Sequence, residues 1–291
     1  MVTYAASRKR RFGLFDIGNV VFLTIAAFSM IYPFLYMLAV SLSDSNAVLR
    51  NEVKLWPKGF NLRAYELVLG DHSIMTGYRN TIVYVLLGTA IALIVTASLA
   101  YALSRRNLVF GKTITLLIIF TMMFNGGMIP TFLVVKSLGI MNSIWAMVLP
   151  GAVSTWNMFV MRTFFAGLPK ELEESGRMDG LNDIGILMRI IIPLTKPIMV
   201  TIGLFYAVAI WNNYTFPLLY LRSESLYPLQ VIIRRLLLTA SLNNNMGGDS
   251  DTVDQVLKFA SIIIGTLPII MAYPFLQKHF VKGVLIGSVK G

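Results

Sequence analysis

Six runs of about 20 apolar residues dominate this 291-residue chain. They cover residues 18–40, 80–103, 113–135, 143–161, 197–221 and 259–277, and none contains Lys, Arg, Asp or Glu. A helix needs about 20 such residues to cross the hydrocarbon core of a bilayer. Because that core holds no water to satisfy free backbone groups, each run should form a helix. The pattern predicts an all-α, polytopic membrane protein with six transmembrane helices.

Composition supports this class and excludes several chemistries. Only 13% of the residues are charged, against about 25% in soluble domains. No cysteine is present, which rules out disulfides, thiolate nucleophiles and thiolate metal sites. His72 and His279 are far apart in sequence, so we expect surface histidines and no metal site. No phosphate-binding G-x-x-x-x-G-K-[ST] loop occurs, so we expect no bound cofactor and no catalytic residues.

The net charge of +11 is explained by topology. The bases flank the apolar runs, whereas a nucleic-acid-binding protein clusters them on one solvated face, so we expect lipid and not nucleic acid as a partner. If both termini are cytoplasmic, 15 of the 25 Lys and Arg residues lie inside, as the positive-inside rule requires. The predicted parts are a cytoplasmic tail (1–17), a transmembrane domain (18–277) with external loops 41–79 and 222–258 and a cytoplasmic loop 165–192, and a second cytoplasmic tail (278–291).

The first run also has features of a signal peptide. Four bases at residues 8–11 precede it, and residues 39–41 resemble a small-x-small cleavage site. However, its 23 residues exceed the roughly 7–15 of a typical signal-peptide apolar region. The length favours a retained membrane anchor.

The cytoplasmic loop contains a dense cluster of charges, E-L-E-E-S-G-R-M-D-G at residues 171–180, in which five of the ten residues are ionised. Pro169 and the acids that follow it are typical of a helix start. Asp179 and Gly180 form a turn signal, which favours a positive φ at Gly180. The apolar spacing of Ile184, Leu187, Met188 and Ile191 predicts a second amphipathic helix.

Ser175 and Gly176 lie in the middle of the first of these helices, although both residue types are poor helix formers. Their small side chains permit close approach of another element. From the residues alone, two interpretations stay open. The loop is either an amphipathic hairpin on the lipid headgroups or a plug that docks into a partner.

A family resemblance bears on this choice. The pattern E-S-G-x-x-D-G-L, followed by I-I-I-P-L-T-K-P, resembles the signature loop of ABC importer permeases, which reads E-A-A, then D-G after three residues, then an apolar stretch ending in L-P-L-x-x-P. Both alanines are replaced here. Carried over, the pattern assigns an ATPase-coupling role to Glu171, Glu174, Ser175, Gly176, Asp179 and Gly180.

Two further stretches extend the resemblance over essentially the whole chain, W-N-N-Y-T-F-P-L-L-Y-L at 211–221 and G-G-M-I-P-T-F-L-V-V-K-S-L-G-I at 126–140. They are similar to the smaller of the two paired permeases in maltose-type importers, and most of all to LplC/YtcP-type members, several of which are linked to uronate-containing oligosaccharides. The resemblance implies a MetI-like type I fold and a permease subunit in the bacterial cytoplasmic membrane. It also implies a second homologous permease, two ATPase subunits that carry ATP and Mg²⁺, and an extracytoplasmic sugar-binding protein.

A sugar pathway needs hydrogen-bonding groups and flat aromatic faces. The residues inside the runs that offer these are Asn125, Trp156, Asn157, Trp211, Asn212, Asn213 and Tyr214. Each also has an ordinary explanation, because Asn commonly bonds a neighbouring membrane helix and Trp commonly lies at the membrane interface.

The second external loop contains the polar stretch L-N-N-N-M-G-G-D-S-D. It is either a plain connector or, as the resemblance implies, a segment that reaches the sugar pocket of the binding protein. The candidate contact residues are Asn243, Asn244, Asn245, Gly247 and Gly248.

Six prolines in the interior of the apolar runs predict kinks or breaks, as transport bundles tolerate. They are Pro33, Pro130, Pro150, Pro217, Pro268 and Pro274. The strongest break is predicted at Gly126 and Gly127, close to Pro130.

Two other functions fit six membrane spans. A secondary transporter usually needs ionisable groups inside its spans, but the six runs have none. A non-transporting scaffold would use the cytoplasmic loop only for docking.

Overall fold

The computed structural model describes residues 13–105, 107–244, 255–271 and 274. All regular structure in these residues is helical. The α-helices are α1 (Leu14–Ser41), α2 (Ser45–Leu49), α3 (Arg63–Gly70), α4 (His72–Ser104), α5 (Gly111–Met123), α6 (Met128–Ser137), α7 (Ile144–Val148), α8 (Thr155–Ala166), α9 (Glu171–Met178), α10 (Asp183–Ile186), α11 (Ile192–Leu194), α12 (Lys196–Trp211), α13 (Thr215–Tyr220), α14 (Leu229–Asn244) and α15 (Gln255–Met271). A π-helical turn, Leu187–Ile191, joins α10 to α11. A 3₁₀ turn, Glu224–Leu226, precedes α14. The described residues divide into two compact units, one drawn from Met1–Val68 with Thr239–Ile263 and the other from Leu69–Leu238 with Ile264–Gly291.

The first two predicted spans are continuous helices. The helices α1 and α4 cover the runs 18–40 and 80–103, and α1 continues through Pro33. In the part of the chain that the structure describes, these two helices can cross a membrane on length and composition, and the number rises to four if each of two bent helix pairs counts as one span. The sixth run is helical in α15 as far as Met271, and residues 275–277 lie outside the described part.

The third run breaks where the sequence predicts. The helix α5 ends at Met123 and α6 begins at Met128, with an angle of 115° between them. Gly127 takes a φ of +87°, which a side chain would disfavour. The side-chain oxygen Asn125 Oδ1 accepts a hydrogen bond from the Gly127 N–H at 2.9 Å. The predicted break at this glycine pair is therefore confirmed, and Asn125 satisfies one backbone group that the break frees.

The fourth and fifth runs are also broken, the fourth at a predicted proline and the fifth ahead of one. The fourth run is split between α7 and α8 by a non-helical stretch that contains Pro150 and Gly151. The fifth is split between α12 and α13, where Asn213 Oδ1 accepts a hydrogen bond from the Phe216 N–H at 3.1 Å. The break predicted at Pro150 is therefore confirmed. The fifth run instead breaks at residues 212–214, and Pro217 lies inside α13, because the polar group that stabilises this break is a single Asn inside an apolar run.

The core of the larger unit forms where α4 packs against α8 and α12. Small residues on α4 let these helices approach closely, including the buried Ala92, Ala97 and Ala100. A buried polar link joins all three helices: the hydroxyls of Thr96 and Tyr206 lie 2.7 Å apart, and the Tyr206 oxygen accepts the Ser154 N–H at 2.9 Å. These contacts make α4, α8 and α12 one packed body.

The smaller unit gives structure to the predicted external loop 41–79. A cluster of small apolar side chains lies at its centre: Ala39, Val40, Val48, Val53, Ala64, Val256 and Ala260. Ser43 Oγ accepts the Lys58 N–H at 3.0 Å and donates to the Ala39 carbonyl at 2.6 Å. The loop is therefore held by its own core. The other predicted external loop, 222–258, also contains a helix, α14.

Candidate functional site

The charged cluster forms α9, the first limb of a compact segment that we call the charged hairpin, residues 170–195. The helix begins at Glu171, as predicted from the acids at its start. Three acids occupy the first turn, where the helix dipole favours negative charge. Glu171 and Glu174 are exposed, and Glu173 faces the protein. Ser175 and Met178 share the exposed face at helical spacing, and Met178 is 89% exposed.

Gly180 turns the chain back after α9. The Gly180 N–H donates to the Arg177 carbonyl at 3.0 Å, and the Leu181 N–H donates to the Gly176 carbonyl at 2.9 Å. This pair of bonds is the Schellman motif, which places a residue with positive φ just after the helix. Gly180 has a φ of +78°, so the predicted positive φ is confirmed.

Gly176 is the contact point between the two limbs of the charged hairpin. A Cβ atom at this position would lie 2.7 Å from Ile190 Cδ1 and 3.2 Å from Ile186 Cγ1. Such distances are closer than ordinary contacts, so the two isoleucines already fill the space that an alanine methyl would take. Gly176 replaces an alanine of the family pattern, and in this chain the side chains of Ile186 and Ile190 occupy the volume of the missing methyl group.

The second limb departs from the predicted amphipathic helix. Leu187 and Ile191 are buried, whereas Ile184 and Met188 are 72% and 61% exposed. The predicted helix is present but interrupted, because the π-helical turn at Leu187–Ile191 changes the spacing of the residues, and its buried face leaves out Ile184 and Met188. A bend of 89° then leads from residues Asp183–Leu194 into α12.

The inner face of the charged hairpin belongs to the core of the larger unit. Ile186, Leu187 and Ile191 lie in the same buried cluster as side chains from α4, α8 and α12. A hairpin that only lies on lipid headgroups would not need this connection. The charged hairpin is therefore packed directly onto the helix bundle.

A second connection joins the charged hairpin to the end of α4. The guanidinium of Arg105 forms an ion pair with Glu173, and the two side chains are only 20% and 16% exposed. Arg105 also lies 4.2 Å over the ring of Tyr101. Burial lowers the pKa of Arg105, and the nearby charge of Arg177 adds to this effect. The Glu173 carboxylate offsets the cost of burying this cation.

A cavity of about 770 Å³ lies beside this ion pair. Its lining includes the bases Arg105, Arg162 and Arg177 and the acids Glu173 and Asp183. The Arg162 Nε–H donates to the Leu103 carbonyl at 2.8 Å, which fixes α8 to the end of α4. The ends of α4, α8 and α9 are thus linked through polar contacts.

Sequence reasoning did not single out Arg105 and Glu173. Glu173 was explained by the helix dipole alone, together with its two neighbours. Its position three residues before the packed Gly176 places it beside the inner face of a helix, and this spacing is a signal that was available in the sequence. The partner Arg105 carries no such signal, because only the fold brings it near.

The predicted pathway residues of the early runs lie at helix ends and breaks. Asn125 is exposed and bonds Gly127 as described above. Trp156 is 62% exposed, whereas its neighbour Asn157 is buried at 6%. The Asn157 N–H donates to Ser154 Oγ at 3.4 Å at the start of α8.

The other four predicted pathway residues surround the break between α12 and α13. Trp211 is buried, and its Nε1–H donates to the Gly265 carbonyl at 3.2 Å. Asn212 donates to the Val208 carbonyl at 3.0 Å, and Asn213 caps α13. Tyr214 is 45% exposed, and the guanidinium of Arg234 lies 4.6 Å from its ring centroid.

The predicted binding-protein contacts fall at the limit of the described residues. Asn243 and Asn244 are the last two residues of α14. Asn245, Gly247 and Gly248 lie outside the described residues. Within the described ranges, no group of His, Asp or Glu could hold a metal ion.

Comparison with known proteins decides the family. Residues 95–286 match the family described as binding-protein-dependent transport system inner membrane component. The chain belongs to this family. It is 40% identical to the polygalacturonan/rhamnogalacturonan transport system permease protein YtcP of Bacillus subtilis, over 96% of this chain and 99% of the relative. It is 42% identical to the protein LplC of the same organism, over 96% and 95%.

A solved structure is also similar. It is a chain of a bacterial ABC transporter involved in the import of the acidic polysaccharide alginate, with 34% identity and a TM-score of 0.84. The match covers 95% of this chain and 100% of that chain. The expected MetI-like permease fold is therefore confirmed.

Membership of the family settles the class of function. The chain is a permease subunit of an ABC importer and an inner-membrane component. It is a transport subunit and not an enzyme. A binding-protein-dependent system of this class works with a solute-binding protein and with an ATP-hydrolysing subunit.

The packing at Gly176 leads to a test of the charged hairpin. Gly176→Val should push the two limbs apart and destabilise the hairpin by about 1–3 kcal/mol, because the new methyl groups overlap Ile190 and Ile186. The purified importer should then retain less of its ATPase and lose it at a lower temperature. Adding Ile190→Ala removes the main overlap, so the double variant should retain much more of the ATPase than Gly176→Val alone. A single Val variant that retains the ATPase as the wild type does would contradict this account.

Proposed function

We propose that this chain is one of two different permease subunits of an importer for acidic, uronate-containing oligosaccharides. The observation that supports a coupling role is the way in which the charged hairpin is packed against the rest of the protein. Its inner face is packed into the bundle core and paired with Arg105, while its outer face presents acids and one exposed methionine. A segment held firmly inside and exposed outside can transmit movement from a partner to the helices.

The exposed face of α9 is the surface that we assign to the ATPase. Glu171, Glu174, Ser175 and Met178 lie on it at spacings of three and four residues. A partner groove with basic and apolar side chains would complement it. Asp179 and Gly180 form the turn that ends this face, so all six predicted coupling residues contribute to the hairpin.

In this proposal, ATP binding to the partner subunits drives transport by shifting the equilibrium between two conformations of the permease. ATP and Mg²⁺ bind to two partner ATPase subunits, and closure of those subunits moves the charged hairpin as a rigid element. The helices packed on it shift from an inward-facing to an outward-facing arrangement, while the binding protein delivers the sugar. This chain makes and breaks no covalent bond.

The substrate class rests on the similar proteins. The named relative YtcP transports polygalacturonan and rhamnogalacturonan, and the similar solved transporter imports alginate, an acidic polysaccharide. At the break between α12 and α13, Asn212 and Asn213 each use one side-chain atom in the local bonds described above. The other atom of each amide can meet a sugar hydroxyl. Asn125, Trp156, Asn157, Trp211 and Tyr214 complete the proposed path.

Orientation follows from the distribution of bases. We assign both termini, with the tails 1–17 and 278–291 and the loop 165–192, to the cytoplasm, and the segments 41–79 and 222–258 to the outside. The second external segment, with Asn243, Asn244, Asn245, Gly247 and Gly248, is the proposed contact of the binding protein.

Uptake by the reconstituted importer tests this function. Proteoliposomes that hold both permeases and the ATPase should take up a uronate trisaccharide only when ATP and the binding protein are present. ATP-independent, ion-driven uptake by this chain alone would indicate a secondary transporter, and no uptake by the full complex would indicate a scaffold. Deletion of residues 243–248 should reduce stimulation of ATP hydrolysis by the binding protein. Unchanged stimulation would remove the proposed contact.

A further inference from the structure

Two neighbouring arginines of α14, Arg234 and Arg235, are held in different ways. Both lie over tyrosine rings: Arg234 is 4.6 Å from the centroid of Tyr214, and Arg235 is 5.0 Å from that of Tyr227. Arg235 Nη1 also bonds Glu224 Oε1 at 2.6 Å, and this bond raises the pKa of Arg235. Among the described residues, no carboxylate forms an ion pair with Arg234.

The location of Arg234 is at the outer mouth of the proposed path. The helix α12 has 16 residues and is about 24 Å long at 1.5 Å per residue. It therefore covers most of the hydrocarbon core of about 30 Å. Tyr214 follows three residues after the end of α12, at the break that also contains Asn212 and Asn213. Both Tyr214 and Arg234 are exposed.

The chemistry of this pair fits a carboxylate. The tyrosine ring holds the guanidinium in place through a cation–π contact. Arginine keeps its charge and presents five N–H donors in a planar fork that matches a carboxylate with two parallel bonds. A neutral sugar would gain nothing from the charge, whereas every uronate unit carries one carboxylate.

We propose that Arg234, held by Tyr214, binds the carboxylate of an acidic sugar as it enters the path, and that it sets the preference for uronate-containing oligosaccharides. The inference rests on the proposed function, because it assigns the substrate class to one residue of that path. Arg235 does not share this role, since Glu224 already compensates its charge.

Uptake of labelled trigalacturonate and triguluronate by the full importer in proteoliposomes tests the assignment. Arg234→Gln should lower the initial rate by about tenfold for the acidic sugar that the wild type transports, as expected for loss of one charged hydrogen-bonded contact. ATP hydrolysis stimulated by the binding protein should stay within about twofold of the wild type. Arg234→Lys should give an intermediate rate, because it keeps the charge and loses the planar fork.

Arg235→Gln is the matched control, as it removes a neighbouring base on the same helix. Its uptake should stay within about twofold of the wild type. An equal loss in both variants would show a general effect of charge and would overturn the proposal. Parallel loss of uptake and ATP hydrolysis in Arg234→Gln would show a structural role and would overturn it as well.

Uptake in vesicles of two lipid compositions distinguishes binding of Arg234 to anionic lipid from binding to the substrate. In vesicles of phosphatidylcholine alone and in vesicles that also contain phosphatidylglycerol, the Arg234→Gln deficit should be the same. A deficit only with phosphatidylglycerol would assign the guanidinium to anionic lipid and would overturn the proposal. If the wild type takes up neither acidic sugar, the proposed substrate class fails together with this inference. Normal uptake by Arg234→Gln overturns the inference alone.

Discussion

Reversing the charge of Glu173 should reduce sugar uptake by the assembled importer about tenfold or more. Glu173→Arg would place a second guanidinium beside Arg105, in a contact whose side chains are only 20% and 16% exposed. Removing one partner of a buried pair costs about 3–5 kcal/mol, and we expect the lower end here. The charged hairpin would lose its connection to the end of α4. The measurement is the amount of sugar taken up per ATP hydrolysed, because a loosened hairpin should allow ATP hydrolysis without transport.

The double variant that exchanges the two residues, Arg105→Glu with Glu173→Arg, tests whether the loss of uptake is due to the broken ion pair or to other effects of the substitutions. It restores opposite charges and should recover a large part of the uptake that either single variant loses. Asp183→Asn serves as the matched control in the same hairpin, because Asp183 pairs with Arg177 at an exposed position. Exposed pairs contribute about 0–1 kcal/mol, so this variant should transport almost normally. An exchanged pair no better than the single variants would argue against the coupling role.

Gly180→Val should release most of the ATPase from the purified complex. A branched side chain disfavours the left-handed conformation of Gly180, at a cost of at least about 1–2 kcal/mol. Apart from its chain neighbours, no heavy atom of the described residues lies within 4 Å of a Cβ built at this position, so we expect the penalty to come from backbone strain. Loss of the Schellman turn would misplace the outer face of α9. The amount of ATPase that co-purifies with the permeases measures the effect.

Gly139→Val provides the control for strain alone. Gly139 has a φ of +68°, and a Cβ there would also meet no atom of the other described residues within 4 Å, chain neighbours aside. This residue follows α6, on the side that we assign to the outside, far from the charged hairpin in sequence. The variant carries a similar strain but should retain the ATPase. Equal loss of the ATPase in both variants would mean that Gly180 acts only through general stability.

Local chemistry made much of the charged hairpin predictable. The acids at the start of α9, the turn at Gly180 and the break at Gly127 each depend on a few neighbouring residues. Helix dipoles, turn geometry and glycine conformations act over such short distances. The predicted features and the observed ones therefore agree at these positions, and the family pattern led to the same segment.

Long-range contacts were beyond sequence reasoning. Glu173 and Arg105 are separated by more than 60 residues, and so are Thr96 and Tyr206. Nothing in the local pattern pairs them. The π-helical turn at Leu187–Ile191 was also missed, since its spacing differs from the regular helix that the apolar pattern suggested.

The sequence by itself determined the membrane class, the number of apolar runs and the place of the coupling segment, because hydropathy, charge bias and turn chemistry are properties of contiguous residues. Only the tertiary structure decided which acid of α9 faces inward, where the fifth run breaks, and that Ile186 and Ile190 fill the space beside Gly176. These depend on the packing of distant helices, where the free energy of each contact exists only once the fold brings its partners together.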